Sequence, residues 1–167
     1  HSTDTSLYAK ASAGMHRLTG VELRGAKAWS NTENSLSASR RSNAGYRANT
    51  DYELYNALWQ TRLNLTTEDK LDLQLGYNEK RFGANSFYTT KYPNQYEHTQ
   101  RMMASLRGNL GAEGWRILPV VYWDREYDRF DLVRGTTFGQ PHHILNNYGA
   151  GCTANLNSII GTTPIGR

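Results

Sequence analysis

The chain has one cysteine, Cys152, so it can form no internal disulfide and no cysteine-built zinc centre. Charged residues make up only 20% of it, and the net charge of +4 is spread along the sequence rather than gathered into a basic stripe. That distribution argues against a nucleic-acid partner. No stretch approaches the ~20 consecutive apolar residues of a membrane-spanning helix, and the mean hydropathy is −0.71. No segment carries a convincing helical period. The opening residues His1 to Ser6 show neither a basic nor an apolar region of a secretory signal, so export would require a trimmed start or a chain that begins within a longer protein. What the 167 residues do carry is eleven Tyr, four Trp, fifteen Gly and much Ser, Thr and Asn. This is neither the composition of a helical bundle nor that of a disordered chain, and its length suits one domain or one piece of a larger one.

The dominant regularity is a period of two. Leu71, Leu73, Leu75 and Tyr77 alternate with Lys70, Asp72, Gln74 and Gly76, which puts the large apolar groups on one face of an extended strand. Met102, Ala104, Leu106 and Leu110 alternate with Arg101, Met103, Ser105, Arg107 and Asn109, and Tyr148, Ala150, Cys152, Ala154 and Leu156 oppose a polar set ending in Asn155 and Asn157. Weaker versions occur at Leu7 to Ala13, Val21 to Leu23, Leu36 to Ala38, Tyr55 to Leu65 and Trp115 to Trp123. The pattern predicts about eight strands.

The connections alternate in character. Ser30–Asn34, Thr66–Asp69 and Gly111–Gly114 are short and built of turn residues, whereas Ser42–Thr50, Lys80–Glu97 and Asp128–Asn146 are long and rich in aromatic residues, Asn, Gly and Arg. Short turns at one end and long loops at the other describe an antiparallel up-and-down meander, the arrangement of transmembrane β-barrels.

Trp115 and Trp123 share a face eight residues apart, which at a rise of ~3.3 Å and a tilt of ~40° separates them by roughly 20 Å along a barrel axis. With Tyr77 and Tyr148 they form the expected lipid-facing girdle. Asp72, Gln74, Arg101, Arg107, Asn109 and Asn155 on the other face demand water or partners. Pro119 lies within a strand pattern and predicts a local bulge. Two other architectures satisfy the same pattern: a complete eight-stranded outer-membrane barrel with a structural or adhesive role, and a soluble β-sandwich binding module.

The runs Gly45–Tyr52 (GYRANTDY), Gly76–Thr99 (GYNEKRFGANSFYTTKYPNQYEHT) and Val121–Gly135 (VYWDREYDRFDLVRG) resemble the barrel of TonB-dependent outer-membrane receptors, nearest to the vitamin B12 (cobalamin) receptors. The resemblance runs from about Leu7 onward. It implies an all-β transmembrane barrel of about 22 strands in the bacterial outer membrane, of which residues 1–167 supply about eight. It also implies a separate plug domain through which the TonB complex acts, and outer loops that bind a small-molecule ligand such as a corrinoid. The chain shows neither a plug nor a TonB box and does not close on the terminal aromatic residue of such barrels, so a piece of barrel wall is expected.

Ligand recognition is expected on the long loops. The candidates are Tyr46, Arg47 and Asn49 on the first, Asn85, Phe87, Tyr88 and Tyr92 on the second, and Arg134, Phe138, His142 and His143 on the third. No cofactor or metal is expected, because adjacent histidines on a strand point apart and no third ligand accompanies them. Asp124, Glu126 and Asp128 alternate with arginines and read as a charge ladder on the polar face. Neither a Gly-x-Ser-x-Gly motif nor any other nucleophile motif is present, and no enzymatic activity is expected.

Overall fold

A computed structural model describes residues 5–137 and 139–156. They form β1 (Thr5–Gly14), β2 (Leu18–Trp29), β3 (Thr32–Asn43), β4 (Tyr52–Asn64), β5 (Lys70–Gly83), β6 (Tyr96–Ala112), β7 (Trp115–Asp131) and β8 (His142–Leu156). Every strand pairs antiparallel with its neighbour in sequence, in a single sheet of order β1-β2-β3-β4-β5-β6-β7-β8. β1 and β8 do not pair, so among the described residues the sheet is not closed into a barrel. The described residues form one sheet, with no second to make the sandwich.

The expected alternation of faces holds along most of the sheet, although Leu54 and Leu58 of β4 and Leu118, Val120 and Tyr122 of β7 stand on the face opposite the tryptophans. Cross-strand partners share a face, and one row runs Leu7, Gly25, Leu36, Trp59, Leu75, Ala104, Trp123 and Tyr148. Trp29 and Trp115 lie on the same face near the short-turn ends, so all four tryptophans of the chain look the same way. The opposite face carries Ser35, Ser37, Ser39, Gln60, Arg62, Asp72, Gln74, Ser105 and Arg107.

Such a sheet is one layer thick and buries almost nothing. Ala84, in a loop, is the one buried hydrophobic residue among those described. The accessible surface is 12258 Å², against roughly 8,300 Å² for a compact monomer of this mass. Leu7, Leu36, Leu75, Val121 and Tyr148 are all exposed. Cohesion comes from backbone ladders and cross-strand pairs rather than from a core.

The strands run longer than the apolar alternation suggests. β5 continues to Gly83, β6 starts at Tyr96 and β7 reaches Asp131, leaving loops of 44–51, 84–95 and 132–141. The same side of the sheet also carries a tight turn, Met15–Arg17, closed by the Leu18 N–H donating to the Met15 carbonyl at 3.1 Å, with His16 and Arg17 both at positive φ.

The bulge expected at Pro119 is absent. Leu110 faces Ile117 before the proline and Arg107 faces Val120 after it, so no residue is gained or lost. Instead the β6–β7 ladder skips the pairs between them, and Gly108 makes room for the ring: a Cβ there would stand 2.8 Å from Pro119 Cγ. Gly108→Val should therefore destabilise the sheet by about 1–3 kcal/mol in chemical unfolding. Adding Pro119→Ala should recover most of that loss, a coupling that independent sites would not show.

Candidate ligand-binding loops and polar face

The loops of the long-loop end are tied into one knot. Asn49, at φ +55°, offers its backbone carbonyl to the Asn85 N–H at 3.1 Å. Its side-chain amide donates to the carbonyl of Pro93 at 3.1 Å and to that of Gln95. The Asn85 amide in turn donates to the Ala48 carbonyl at 2.6 Å. Gln95 is completely buried; it accepts from the Tyr88 N–H at 3.0 Å and donates to the Thr89 carbonyl at 3.1 Å. One glutamine thus satisfies the backbone of the turn that carries the aromatic residues.

Arg134 closes the knot from the third loop. Its guanidinium grips Asp51 in a fork of 2.7 and 2.9 Å, lies 4.6 Å from the centre of the Tyr96 ring and reaches Asn49 Oδ1 at 3.3 Å. Its backbone N–H donates to the Asn94 carbonyl at 2.7 Å. The hydrogen bonds from Arg134 hold the Asp51 carboxyl below its ordinary value, against the opposing effect of burial. Beside this clamp the fully buried Asp131 receives Arg129 at 2.9 and 2.8 Å and the Gln140 amide at 2.7 Å.

Of the residues expected to bind ligand, Asn49, Asn85 and Arg134 are brought together, and their polar atoms are engaged in the knot. Phe87 and Tyr88 remain exposed. Their rings meet edge-on at 4.8 Å, Tyr88 meets Phe130 the same way at 4.9 Å, and the Tyr88 hydroxyl donates to Glu97 at 2.9 Å. The hydrogen bond to Glu97, with burial second, raises the Tyr88 phenol above its ordinary value. Tyr46 is exposed with Arg47 over its ring at 5.2 Å, and Lys91 stands 5.5 Å from the Tyr92 ring. Both pairs lie apart from the Phe87 stack in the chain. Phe138 lies outside the described residues.

His142 and His143 part as neighbours on a strand must. His142 pairs with Arg129, on the tryptophan face, and its Nδ1 is 3.0 Å from the Tyr127 hydroxyl, whereas His143 pairs with Asp128 on the polar face. Among the described residues no group of three or more His, Cys, Asp or Glu side chains could hold a metal ion.

The girdle residues Trp115, Trp123, Tyr77 and Tyr148 share the apolar face, with Trp123 and Tyr148 direct cross-strand partners. Toward the long loops that face turns polar. Glu79 collects the Tyr77 hydroxyl at 2.7 Å, Arg81 at 2.8 Å, His98 at 2.7 Å and Gln100 at 3.1 Å. The polar face is cross-linked by Arg62–Asp72 at 2.7 Å and Arg101–Asp124 at 2.9 and 2.8 Å. Its trough, about 1070 Å³, is lined by Tyr8, Arg24, Ser37, Asn56 and Gln74 among others.

Sequence reasoning missed Asp51, Gln95 and Asp131, the residues that build the knot. Asp51 and Arg134 are 83 positions apart, and no local pattern marks such a pair. No family model, curated protein or solved structure matches this chain.

The clamp sets a pH dependence. A carboxylate whose folded-state pKa is depressed adds stability above its unfolded pKa, and that stability is lost as pH falls through the lower folded value. Hydrogen exchange of the 44–51 and 84–95 amides should therefore be slow at neutral pH, with protection fading only below the ordinary Asp value of 3.8. Arg134→Met should abolish this acid-dependent step and leave the loops less protected at neutral pH.

Proposed function

We propose that these strands form part of the wall of a transmembrane β-barrel in a bacterial outer membrane, within a TonB-dependent receptor that takes up a scarce nutrient, a corrinoid being the ligand that the resemblance points to. The observation that carries this reading is the uncovered apolar face of a one-layer sheet. Water is a poor solvent for a continuous face of Leu, Val and Trp, and soluble monomers rarely leave patches of such size open. Hydrocarbon removes the difficulty, and the antiparallel ladder leaves only the two edge strands unpaired.

Three further features support it. Strands of 10 to 17 residues meet or exceed the ~9–11 needed to cross the bilayer core. The surplus on β5 to β7 lies toward the long loops, where the apolar face becomes polar around Glu79. Tryptophan and tyrosine mark the apolar band, as amphipathic rings do at a membrane interface. The polar face would then look into a watery lumen, and the free edges of β1 and β8 would join further strands of a barrel of about 22.

In this reading the knotted loops are the rigid rim of the ligand site. Asn49, Asn85 and Arg134 hold the frame, and the exposed rings of Tyr46, Phe87 and Tyr88 present contact surface to a large, partly apolar ligand. Coupling to the TonB complex would run through a plug domain, which these strands do not supply. The protein would act by binding and transport rather than by catalysis.

The facing assignment is tested by a pair of substitutions in the outer membrane. Leu73→Arg puts a cation on the lipid side at a cost of ~2–4 kcal/mol and should reduce the folded, heat-modifiable fraction on gels. Gln74→Arg, one residue along on the other face, should leave it unchanged. Equal behaviour of the two, or a chain that stays monomeric and folded in plain buffer, would overturn the membrane assignment. The ligand assignment is tested by deleting 84–95 from the receptor, which should abolish cobalamin binding to whole cells; binding retained, with uptake of an iron chelate lost, would replace it.

A further inference from the structure

A cleft on the polar face, near the long-loop end of β1, β2 and β3, lies apart from the knotted loops. Two ladder rows define it. In one, Lys10 of β1, Glu22 of β2 and Ser39 of β3 are consecutive partners; in the other, Ser12, Gly20 and Arg41 are. All six side-chain positions share the polar face. The centre of the second row is a glycine, so nothing rises between Ser12 and Arg41, and a Cβ at position 20 would come within 2.5 Å of Ser12 Oγ. The missing side chain leaves a cavity of about 230 Å³ lined by Lys10, Ser12, Gly20, Ser39 and Arg41 among others.

The charge of this cleft is unbalanced. Glu22, its one acid, is ion-paired with Arg24. Among the described residues the side chains of Lys10, Arg41 and Ser12 have no hydrogen-bond or ion-pair partner. Most arginines elsewhere on this face are matched: Arg62 by Asp72, Arg101 by Asp124 and Arg116 by Glu68. Ser39 Oγ accepts from the Asn56 amide at 3.3 Å, which leaves its own proton free to donate. Beside Glu22, whose charge Arg24 offsets, the cleft therefore offers an ammonium, a guanidinium fork and two hydroxyls around one space. That is the chemistry that recognises an oxyanion.

We propose that this cleft binds a small water-borne oxyanion, a phosphate or carboxylate group, held between Lys10 and Arg41 over the floor of Gly20. A lipid headgroup is the poorer source of the same chemistry, because the cleft opens on the face opposite the apolar band. Lys80 lies farther along the same row as Arg41, with Leu54 between them, and extends the positive potential over which a second anionic group of one ligand would sit. The site goes beyond the transport reading and does not depend on it.

The test is equilibrium dialysis of radiolabelled inorganic phosphate, with citrate as the carboxylate competitor, against the full chain at low ionic strength. Folding is checked by circular dichroism in detergent and in plain buffer, and the titration is run in whichever medium keeps the chain folded. A chain that folds only in buffer would thus count against the membrane reading without touching this one. Saturable binding of one phosphate per chain is expected, displaced by citrate and weakened about tenfold by Arg41→Gln or Lys10→Gln, each of which removes a charge-assisted partner. Lys27→Gln, on the opposite face, should leave it unchanged. Gly20→Leu should abolish binding by filling the cleft, and the glutamine variants carry the test should that variant misfold. Absence of saturable binding, or equal loss in the Lys27 and Arg41 variants, would overturn the proposal.

Discussion

A sheet one residue thick cannot stabilise itself as ordinary domains do. Its backbone groups are satisfied strand to strand, but burying apolar side chains needs a second layer, and none of the eight strands folds over to provide one. The hydrophobic term that dominates folding must therefore be drawn from whatever lies against the tryptophan face. Much else follows from this: the prevailing alternation of faces, the exposed leucines, and, among the described residues, the confinement of buried polar side chains to the loops and the strand segments next to them.

The two ends of the sheet answer that constraint differently. At the short-turn end the strands stop soon after the apolar band, with Trp29 and Trp115 close to the turns. At the other end they continue, and Glu79, His98, Gln100 and Arg129 appear on what had been the apolar face. Beyond them, among the described residues, the chain builds a small interior around Ala84, Gln95 and Asp131. That interior is polar and held by directed hydrogen bonds, so it fixes loop geometry rather than contributing much burial.

The eight-stranded antiparallel meander, though not closure into a barrel, was legible in the sequence because a period-two pattern is local: Leu71 to Tyr77 announces its facing without reference to any other segment. The same locality explains the errors. The apolar pattern stops short of the ends of β5 and β6 because Glu79, Arg81 and His98 break the alternation while the backbone ladder continues through them. Pro119 predicts a bulge from the sequence, and only Gly108, which lies against its ring on β6, shows why none forms. In the loops, residue types pointed to the right region, but the split between frame and exposed surface rests on partners more than 30 positions apart, such as Asn49 with Gln95. The cleft over Gly20 depends equally on register, which sets a glycine between a serine and an arginine that no linear spacing connects.

Apart from the loops, each strand touches only the strands beside it in sequence. A ladder of that kind bends like a folding screen, since nothing ties one panel to the next but one. The turns and loops supply such ties, and the clasp of Asp51, Asn49, Gln95 and Arg134 spans the most chain, for it joins the loop that precedes β4 to the one that precedes β8 across everything between them. It acts as a buckle at one margin of the screen, and a smaller catch holds the other, where Arg116 of β7 reaches Glu68 at 2.6 Å and the Gly111 N–H donates to Asp69 at 2.9 Å. An arc latched at its rims rather than along its strands can be assembled hairpin by hairpin and drawn to its final radius last.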